Sequence, residues 1–262
     1  MSGSDIHRYY EDCAWSRFSE TVSSLEELRI KETLSSIPED SFTILEVGCG
    51  NGAITNRLSL RDCYVCGLDI NQQALECVNV DKIVGNVGIL PFKDKSFDLI
   101  LCCEVLEHLP FQVYPEALKE IERVAKEYIV ISVPFRQDLR LSSIRCPYCG
   151  CTFDTYRHIR SFNHELLRRL FVEFEPQITK PCGIYRSNPV FIDKVARFLF
   201  GTGFSTDAMC PQCGYYKERK AQVSSEISDS KGSPKHRVTG FINKCVPKKN
   251  NWKWIIASYR RR

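Results

Sequence analysis

Two copies of one short cysteine motif stand far apart in the chain, CPYCG at 146–150 and CPQCG at 210–214. Each motif brings two thiols together, and the glycine that follows lets the backbone wrap a bound ion. Four thiolates are the ligand set of a closed, tetrahedral structural zinc site. The predicted zinc ligands are Cys146, Cys149, Cys210 and Cys213. The 60 residues between the pairs exceed ordinary zinc-ribbon spacing, so two unrelated pairs or metal-free thiols stay as the alternative.

A second group of side chains suited to chemistry lies in EVLEHL, where a helix would bring Glu104, Glu107 and His108 to one side. Carboxylates and an imidazole could hold a divalent metal ion, or they could supply a general base for a hydroxyl nucleophile. His158, in YRHIRSFN, is a further candidate. The acids could also only meet a helix dipole. The sequence therefore offers Glu107, His108 and His158 as catalytic candidates and leaves the metal alternative open.

Glycines follow the first apolar run in EVGCGNG, at 46–52, and an acid, Asp69, ends the next run 21 residues after Gly48. Glycine permits a tight turn and lets a cofactor approach the backbone closely. An acid at this spacing can accept hydrogen bonds from both hydroxyls of an adenosine ribose. The pattern indicates a nucleoside-containing cofactor, and by itself it also fits a nicotinamide dinucleotide.

These side chains need a sheet to position them, and the first half of the chain alternates strand and helix patterns. The apolar runs are FTILEV, CYVCGLDI, DKIVGNV, FDLILCC and EYIVISVPF. Helical spacing predicts a helix over 23–37, stopped by Pro38, and another over EVLEHLPFQVYPEALKEIERVAK with a break near Pro110. Short connections between strands and helices favour an α/β, Rossmann-like, doubly wound and mostly parallel sheet.

Several segments in a fixed order carry a family resemblance, namely ILEVGCGNGAIT, CGLDI, GNVGILPFKDKSFDLILCCEVLEHL and IVISVPF. Over roughly residues 42–135 the sequence resembles the class I S-adenosylmethionine-dependent methyltransferases, in particular the branch that includes the ubiquinone-biosynthesis O-methyltransferases. The resemblance implies seven strands, the last of them antiparallel. It also implies S-adenosylmethionine as the co-substrate.

The resemblance further implies cofactor contacts at matching positions. Asp69 would hold the ribose, and Asn86 stands where the family often has Asp, facing the adenine. An amide oxygen can still accept that hydrogen bond. For Arg29 a surface helix charge is an equal alternative. The implied cofactor residues are Arg29, Glu46, Gly48, Gly50, Asp69, Asn86, Val87 and Cys103.

The first cysteine pair follows the fifth predicted strand, EYIVISVPF. The second pair follows a sixth predicted strand, FEPQITKP, and both strands end at the carboxyl end of the sheet. One zinc ion bound by both pairs could therefore hold the two insertions together as a lid over the cofactor. The predicted segments are an N-terminal helical part at 1–41, a cofactor-binding core at 42–135, a first knuckle insertion at 136–161, a core helix and strand at 162–187, a lid with the second knuckle and a basic stretch at 188–250, and a last strand at 251–262.

Composition limits the class of protein. The chain has 262 residues and 14 cysteines, and no apolar run approaches the ~20 residues that cross a bilayer. The polar start lacks the apolar core of a signal peptide, so the sequence predicts a cytoplasmic protein with reduced thiols. From Gly214 to Arg262 there are 13 basic and 3 acidic residues, so this part carries +10 and the rest 4 − 10 = −6.

We expect a methyltransferase that acts on a hydroxyl, or an amine, of a small molecule or sugar. The basic segment and the acid–histidine string keep RNA as an alternative acceptor, because RNA 3′-terminal 2′-O-methyltransferases use a similar Glu-x-x-Glu-His to bind a metal. A non-catalytic protein that uses the cofactor and zinc for interaction is the alternative from another class. Neither membrane insertion nor an obligate protein partner is indicated.

Overall fold

A seven-stranded sheet organises the computed structural model, which describes residues 22–187, 208–215 and 248–262. The described strands are β1 (Thr43–Val47), β2 (Tyr64–Asp69), β3 (Asp81–Val84), β4 (Phe97–Cys103), β5 (Ala125–Pro134), β6 (Ser143–Arg145), β7 (Thr152–Asp154), β8 (Phe174–Ser187) and β9 (Lys249–Arg261). The large sheet has the order β3-β2-β1-β4-β5-β9-β8, and β6 pairs with β7 in a separate hairpin.

Strands β1 to β5 run parallel, and β9 runs antiparallel to β5. Val47 at the end of β1 pairs with Leu68 of β2 on one side and with Cys102 of β4 on the other. The carboxyl ends of β1, β2 and β4 therefore meet at one edge of the sheet, where open α/β folds bind ligands. The predicted fold class is confirmed, including the antiparallel last strand.

Short helices connect the strands. They are α1 (Ser24–Leu34), α2 (Thr55–Leu58), α3 (Gln72–Leu75), α4 (Tyr114–Val124), α5 (Leu139–Ser142) and α6 (His164–Arg168). Among the described residues, none of these helices has the length and hydropathy needed to span a membrane.

Two hydrophobic layers cover the faces of the sheet. Successive residues of a strand point to opposite faces. Accordingly Ile44 packs into the layer that contains Ile30 of α1, while Leu45 packs into the layer that contains Ile121 of α4. These residues are at most 1% exposed. Burying a side chain of this size stabilises the fold by about 1.5–3 kcal/mol, so both layers hold the strand ends in place.

Helix α1 starts with a complete capping box. Ser23 Oγ accepts a hydrogen bond from the Glu26 N–H at 3.3 Å, and Glu26 Oε2 accepts one from the Ser23 N–H at 2.9 Å. These bonds satisfy two N–H groups that a helix end leaves unpaired, and such a cap stabilises a helix by about 1 kcal/mol. The cap fixes the start of the helix that carries Arg29.

The predicted helix over EVLEHL is wrong. Glu104 has φ +56°, and its N–H donates to the Ser132 carbonyl at 2.9 Å, so the residue extends the sheet pairing. The following residues form turns, and α4 begins only at Tyr114. Pro110 explains the failure, because it lacks a backbone donor and disfavours helical geometry just before it. Glu104 and Glu107 therefore do not share one helix face.

The chain divides into two compact units. The sheet unit contains Met1–Gln137, His158–Gly183 and Trp252–Arg262, and the cysteine unit contains Asp138–Arg157 and Ile184–Asn251. The β6–β7 hairpin belongs to the cysteine unit and was not predicted. The predicted lid segment at 188–250 lies outside the described residues, except for 208–215 and 248–250. The predicted domain boundaries and the lid stay predictions.

Candidate active site

The turn after β1 requires its glycines. Gly48, Gly50 and Gly52 have φ of +71°, +55° and +81°, a region that other residues rarely adopt. A Cβ on Gly48 would lie 2.2 Å from Cγ2 of Val105, which no side chain tolerates. The turn therefore places backbone that carries no side chain at Gly48, Gly50 and Gly52 at the edge where the strands end.

Asp69, at the end of β2, is 7% exposed and holds this turn. Its Oδ2 accepts a hydrogen bond from the Gly50 N–H at 2.7 Å, and its Oδ1 accepts one from the Asn71 N–H at 2.8 Å. Burial raises the pKa of the Asp69 carboxyl, and these backbone bonds partly offset that effect. Each carboxylate oxygen can accept a second hydrogen bond, so the predicted ribose contact stays a prediction.

Glu46 lies behind the turn and is 2% exposed. It accepts a hydrogen bond from the Thr55 hydroxyl, with Arg29 and Asp69 among the charges around it. Burial raises the pKa of the Glu46 carboxyl to about 7, although the bond from Thr55 and the charge of Arg29 lower it. The side chain therefore changes its charge near neutral pH.

We expect the raised pKa of Glu46 to make stability fall as pH rises. The folded state holds this proton up to about pH 7, whereas an unfolded glutamate releases it near 4.3. Below the pKa of Glu46 in the unfolded protein the stabilisation is fully present, and it is lost as the pH rises through the pKa in the folded protein. The change in the free energy of unfolding is on the order of 3 kcal/mol. Glu46→Gln should flatten the unfolding free energy between pH 5 and 8, measured with urea.

Glu116→Gln, which removes one exposed carboxylate from α4, controls for the change in net charge. Parallel pH profiles for Glu46→Gln and the unmodified protein would contradict the assignment of the raised pKa to Glu46.

Arg29 of α1 reaches the same edge. Its Nη1 donates to Ser132 Oγ at 3.2 Å, and its guanidinium lies 5.6 Å from the centre of the Trp254 ring. Its Nε is buried and has no hydrogen-bond partner among the described residues. A buried guanidinium N–H without an acceptor is costly, and a ligand carboxylate would satisfy it. The surface-charge alternative for Arg29 does not fit this placement.

Glu104 lies next to Arg29 and is anchored by β9. Its Oε2 accepts a hydrogen bond from Trp254 Nε1 at 2.7 Å, and Ser132 Oγ is 3.4 Å from its Oε1. Ser132 and Trp254 carry no recognisable sequence signal, because ordinary strand patterns contain both residue types. Only the pairing of β5 with β9, which puts Ser132 opposite Ile256, brings them to this edge.

The remaining predicted cofactor residues are Asn86, Val87 and Cys103, and their side chains already have partners within the protein. The Asn86 amide oxygen accepts a hydrogen bond from the Gly88 N–H at 2.8 Å. Val87 and Cys103 are each 7% exposed, and their side chains pack into the two hydrophobic layers. Their side chains are committed to the core, so only their backbones could contact a cofactor.

Glu107, His108 and His158 come together despite the missing helix. The His108 and His158 rings are 4.8 Å apart edge to face, and His108 Nε2 lies 3.9 Å from Glu107 Oε1. One ligand atom from each residue falls within 4.8 Å of the others, so the trio could hold a metal ion. The N–H of Ile159 donates to the Glu107 carbonyl at 2.9 Å and fixes the two segments together.

Glu107 is fully buried, and neither carboxylate oxygen has a hydrogen-bond partner among the described residues. Burial raises the pKa of its carboxyl well above the usual range, and the charge of Glu104 raises it further. His158 has a defined partner, because its Nδ1 lies 2.5 Å from Gln137 Oε1. An Nδ1–H that donates to this oxygen places the lone pair of the ring on Nε2.

In the cysteine unit, the two CPxCG motifs form matching turns. The Gly150 N–H donates to the Cys146 carbonyl and the Gly214 N–H to the Cys210 carbonyl, both at 3.0 Å. The glycines have φ of +76° and +71°. Each turn thus presents its two thiols in the same way.

The four predicted zinc ligands are brought together. Cys146 Sγ lies 3.6 Å from Cys213 Sγ, and Cys149 Sγ lies 3.5 Å from Cys210 Sγ. All four sulfurs are within 4.8 Å of one another. A disulfide would need about 2.05 Å, whereas sulfurs around a tetrahedral ion with bonds of about 2.3 Å are separated by about 3.8 Å. The donor set and spacing fit zinc.

Sequence similarity to known proteins is concentrated in the first part of the sheet unit. A family model described as a methyltransferase domain matches residues 45–130. An uncharacterised protein of Methanocaldococcus jannaschii is 42% identical over 87 residues, which are 32% of this chain and 36% of that protein. A ubiquinone biosynthesis O-methyltransferase of Neisseria meningitidis is 29% identical over 79 residues, 26% of this chain and 33% of that protein. The chain thus spans about a third of the length of these relatives.

The fold is shared over a longer stretch. The crystal structure of a SAM-dependent methyltransferase from Thermotoga maritima aligns with a TM-score of 0.51 at 16% identity, covering 98% of this chain and 92% of that one. Sheet order, the glycine turn and the family match agree. Residues 45–130 therefore match a methyltransferase domain, and the chain around them has the fold of S-adenosylmethionine-dependent methyltransferases.

Proposed function

We propose that this protein transfers a methyl group from S-adenosylmethionine to a hydroxyl, or an amine, of a small molecule or sugar. The observation that supports this most is the presence of two groups of side chains in the sheet unit, near enough that the charge of Arg29 partly offsets the effect of burial, which raises the pKa of Glu107 beside the histidines. One group is the glycine turn with Asp69 and Arg29, and the other is the histidine pair His108 and His158. A cofactor site and a proton acceptor are what an O-methyltransferase needs.

The cofactor supplies a methyl group on a positively charged sulfur. For its binding, this chain offers the glycine turn at 48–52 and a carboxylate at Asp69. Arg29, whose buried Nε lacks a protein acceptor among the described residues, would bind the carboxylate of the methionine part. Arg29 and Asp69 would thus match the carboxylate and the ribose hydroxyls of that molecule.

His158 is suited to take the proton from the acceptor. Gln137 holds its Nδ1, so Nε2 can act as the base, and the ring of His108 limits its rotation. Alignment of the acceptor in a dry site supplies much of the remaining rate. Glu107 would help to position this pair, because one of its carboxyl oxygens lies within 4.8 Å of a ring nitrogen of each histidine.

Zinc is proposed as a structural ion of the cysteine unit. Four cysteine ligands leave no open coordination position, so such a site stabilises the surrounding fold and does not bind substrate. The proposed role of the cysteine unit as a lid rests on the positions of the motifs in the sequence.

The test is a methyl-transfer assay with tritiated S-adenosylmethionine on cell extract divided into small-molecule, RNA and protein fractions. We expect label in the small-molecule fraction. Label in RNA alone would favour the alternative suggested by the basic segment. Cofactor binding without label in any fraction would favour a non-catalytic protein.

A separate prediction concerns cofactor affinity. Asp69→Ala should weaken S-adenosylmethionine binding by about 1.5–3 kcal/mol, because a charge-assisted contact to the ribose is lost and the Gly50 N–H loses its acceptor. Isothermal calorimetry measures the change. Asp81→Ala, on the exposed strand β3, is the matched control and should bind normally. Unchanged affinity of Asp69→Ala would contradict its predicted role.

A further inference from the structure

The sheet unit contains a cavity that is lined mainly by basic and polar side chains. It has a volume of about 440 Å³ and is formed by Arg136, Asn163, His164, Glu165, Arg168 and Thr179. Volumes of a few hundred Å³ are typical of small-molecule sites. Neither the glycine turn nor the Glu107–His108–His158 trio contributes to it.

The cavity wall is built on fixed elements. The Arg136 N–H donates to the carbonyl of the fully buried Phe162 at 2.8 Å. Phe135 contacts two residues of the cavity, since its ring lies 5.2 Å from the Arg136 guanidinium carbon and 5.1 Å from the His164 ring. Helix α6 is anchored to the core, because the Tyr259 hydroxyl donates to the Leu167 carbonyl at 2.9 Å.

Arg136 adopts an unusual backbone conformation. It has φ +50°, a region that costs a residue other than glycine on the order of 1 kcal/mol or more. This conformation occurs directly after β5, at the carboxyl end of the sheet, where it sets the direction of the arginine side chain. Such conformations cluster at ligand sites.

The charges of the cavity are unbalanced. Arg136 and Arg168 form no ion pair within the described part of the chain, while Glu165 lies 3.8 Å from Arg169, one turn further along. Arg136, Arg168, His164 and Thr179 therefore line one space, with Glu165 as its single acidic residue. A phosphate carries up to two negative charges and three acceptor oxygens, so it matches several donors better than a carboxylate with two oxygens.

One lining residue of the cavity, Arg136, is adjacent in sequence to a residue that contacts the proposed base. Gln137, which binds His158 Nδ1, directly follows Arg136. We propose that this cavity binds a phosphate group of the methyl acceptor, so that the acceptor is a phosphorylated small molecule. This inference rests on the proposed methyl transfer and names the class of its substrate.

The first experiment measures binding of inorganic phosphate by calorimetry, with acetate as a second probe. Arg136→Gln and Arg168→Gln should each weaken phosphate binding about 10- to 100-fold, because each removes a charged donor. Arg169→Gln, a neighbouring exposed arginine outside the cavity, is the matched control and should bind phosphate normally. Equal cofactor affinity in all proteins would show that they are folded.

Three results of this experiment would overturn the proposal. They are absence of saturable phosphate binding, normal binding by both cavity variants, and acetate binding as tight as that of phosphate. All three can be obtained with a protein that binds S-adenosylmethionine normally, so they leave the proposed methyl transfer standing.

The second experiment treats the methyl-accepting extract fraction with a phosphatase, which is then removed. We expect most of the tritium incorporation to be lost, and incorporation equal to that of a mock-treated fraction would overturn the proposal. If phosphate binds through Arg136 and Arg168 but no fraction accepts a methyl group, the proposed methyl transfer fails, and the acceptor role of the cavity fails with it.

Discussion

Cys146→Ser and Cys210→Ser proteins are each expected to lose the single zinc equivalent that the unmodified protein should carry. The four sulfurs converge from two turns that lie far apart in the sequence. Three thiolates hold a structural ion poorly, and its binding energy, on the order of 10 kcal/mol or more, is part of the folding energy of the surrounding segment. The cysteine unit should therefore lose its fold with the ion.

The sheet unit has its own hydrophobic layers, so we expect it to survive this loss. Metal analysis and calorimetry on the same samples should show zinc absent and S-adenosylmethionine affinity lowered only modestly. Activity on the acceptor should collapse if the cysteine unit is a lid, as its position in the sequence predicts.

Cys151→Ser is the matched control, because Cys151 adjoins the first pair but is not one of the four clustered thiols. It should retain zinc. Zinc retained in both Cys146→Ser and Cys210→Ser would show that the pairs do not share an ion. Global unfolding of either variant would show that the zinc site is needed for the fold of the sheet unit as well.

The His158→Gln protein is expected to turn over about 10²–10⁴ times more slowly, the usual contribution of a general base. The Gln137 contact fixes the ring tautomer that leaves Nε2 available for the proton. Glutamine is similar in size but cannot accept a proton at neutral pH. The effect should appear in kcat, with S-adenosylmethionine affinity unchanged, and should be measured with the acceptor identified by the fractionated assay.

His108→Gln should have a smaller effect, because the His108 ring packs edge to face against the proposed base and is not itself proposed to take the proton. Gln137→Ala tests positioning, and it should shift the pH–rate profile as well as lower kcat. If kcat is normal in both histidine variants, alignment alone accounts for the rate. A second metal equivalent that both histidine variants lose, and that the cysteine variants keep, would show that the trio binds a metal ion.

The order of strands and the glycine turn could be predicted because local patterns specify them. Continuous apolar runs mark buried parallel strands, and the spacing from Gly48 to Asp69 reflects one strand–helix–strand unit. The capped helix α1 was predicted over 23–37, and its regular part spans Ser24–Leu34. The position of Arg29 beside Ser132 and Trp254 follows from that helix.

The surroundings of Glu104 could not be predicted, because they depend on contacts distant in sequence. Helical spacing in EVLEHL suggested a shared face, but the Glu104 N–H pairs with Ser132 and its side chain with Trp254, 150 residues away. Gln137 and Arg136 were missed for a related reason. They follow a strand in a segment with no motif, and only the folded chain brings them to His158 and His164.

Strand β9 comes last in chain order among the described strands, yet it lies between β5 and β8. While the chain is being synthesised, β5 therefore has an open edge until β9 emerges from the ribosome, and β8 cannot join the sheet before then. Unpaired strand edges are templates for wrong pairing with other chains. We expect that edge to be open to wrong pairing throughout synthesis of the segment between β8 and β9.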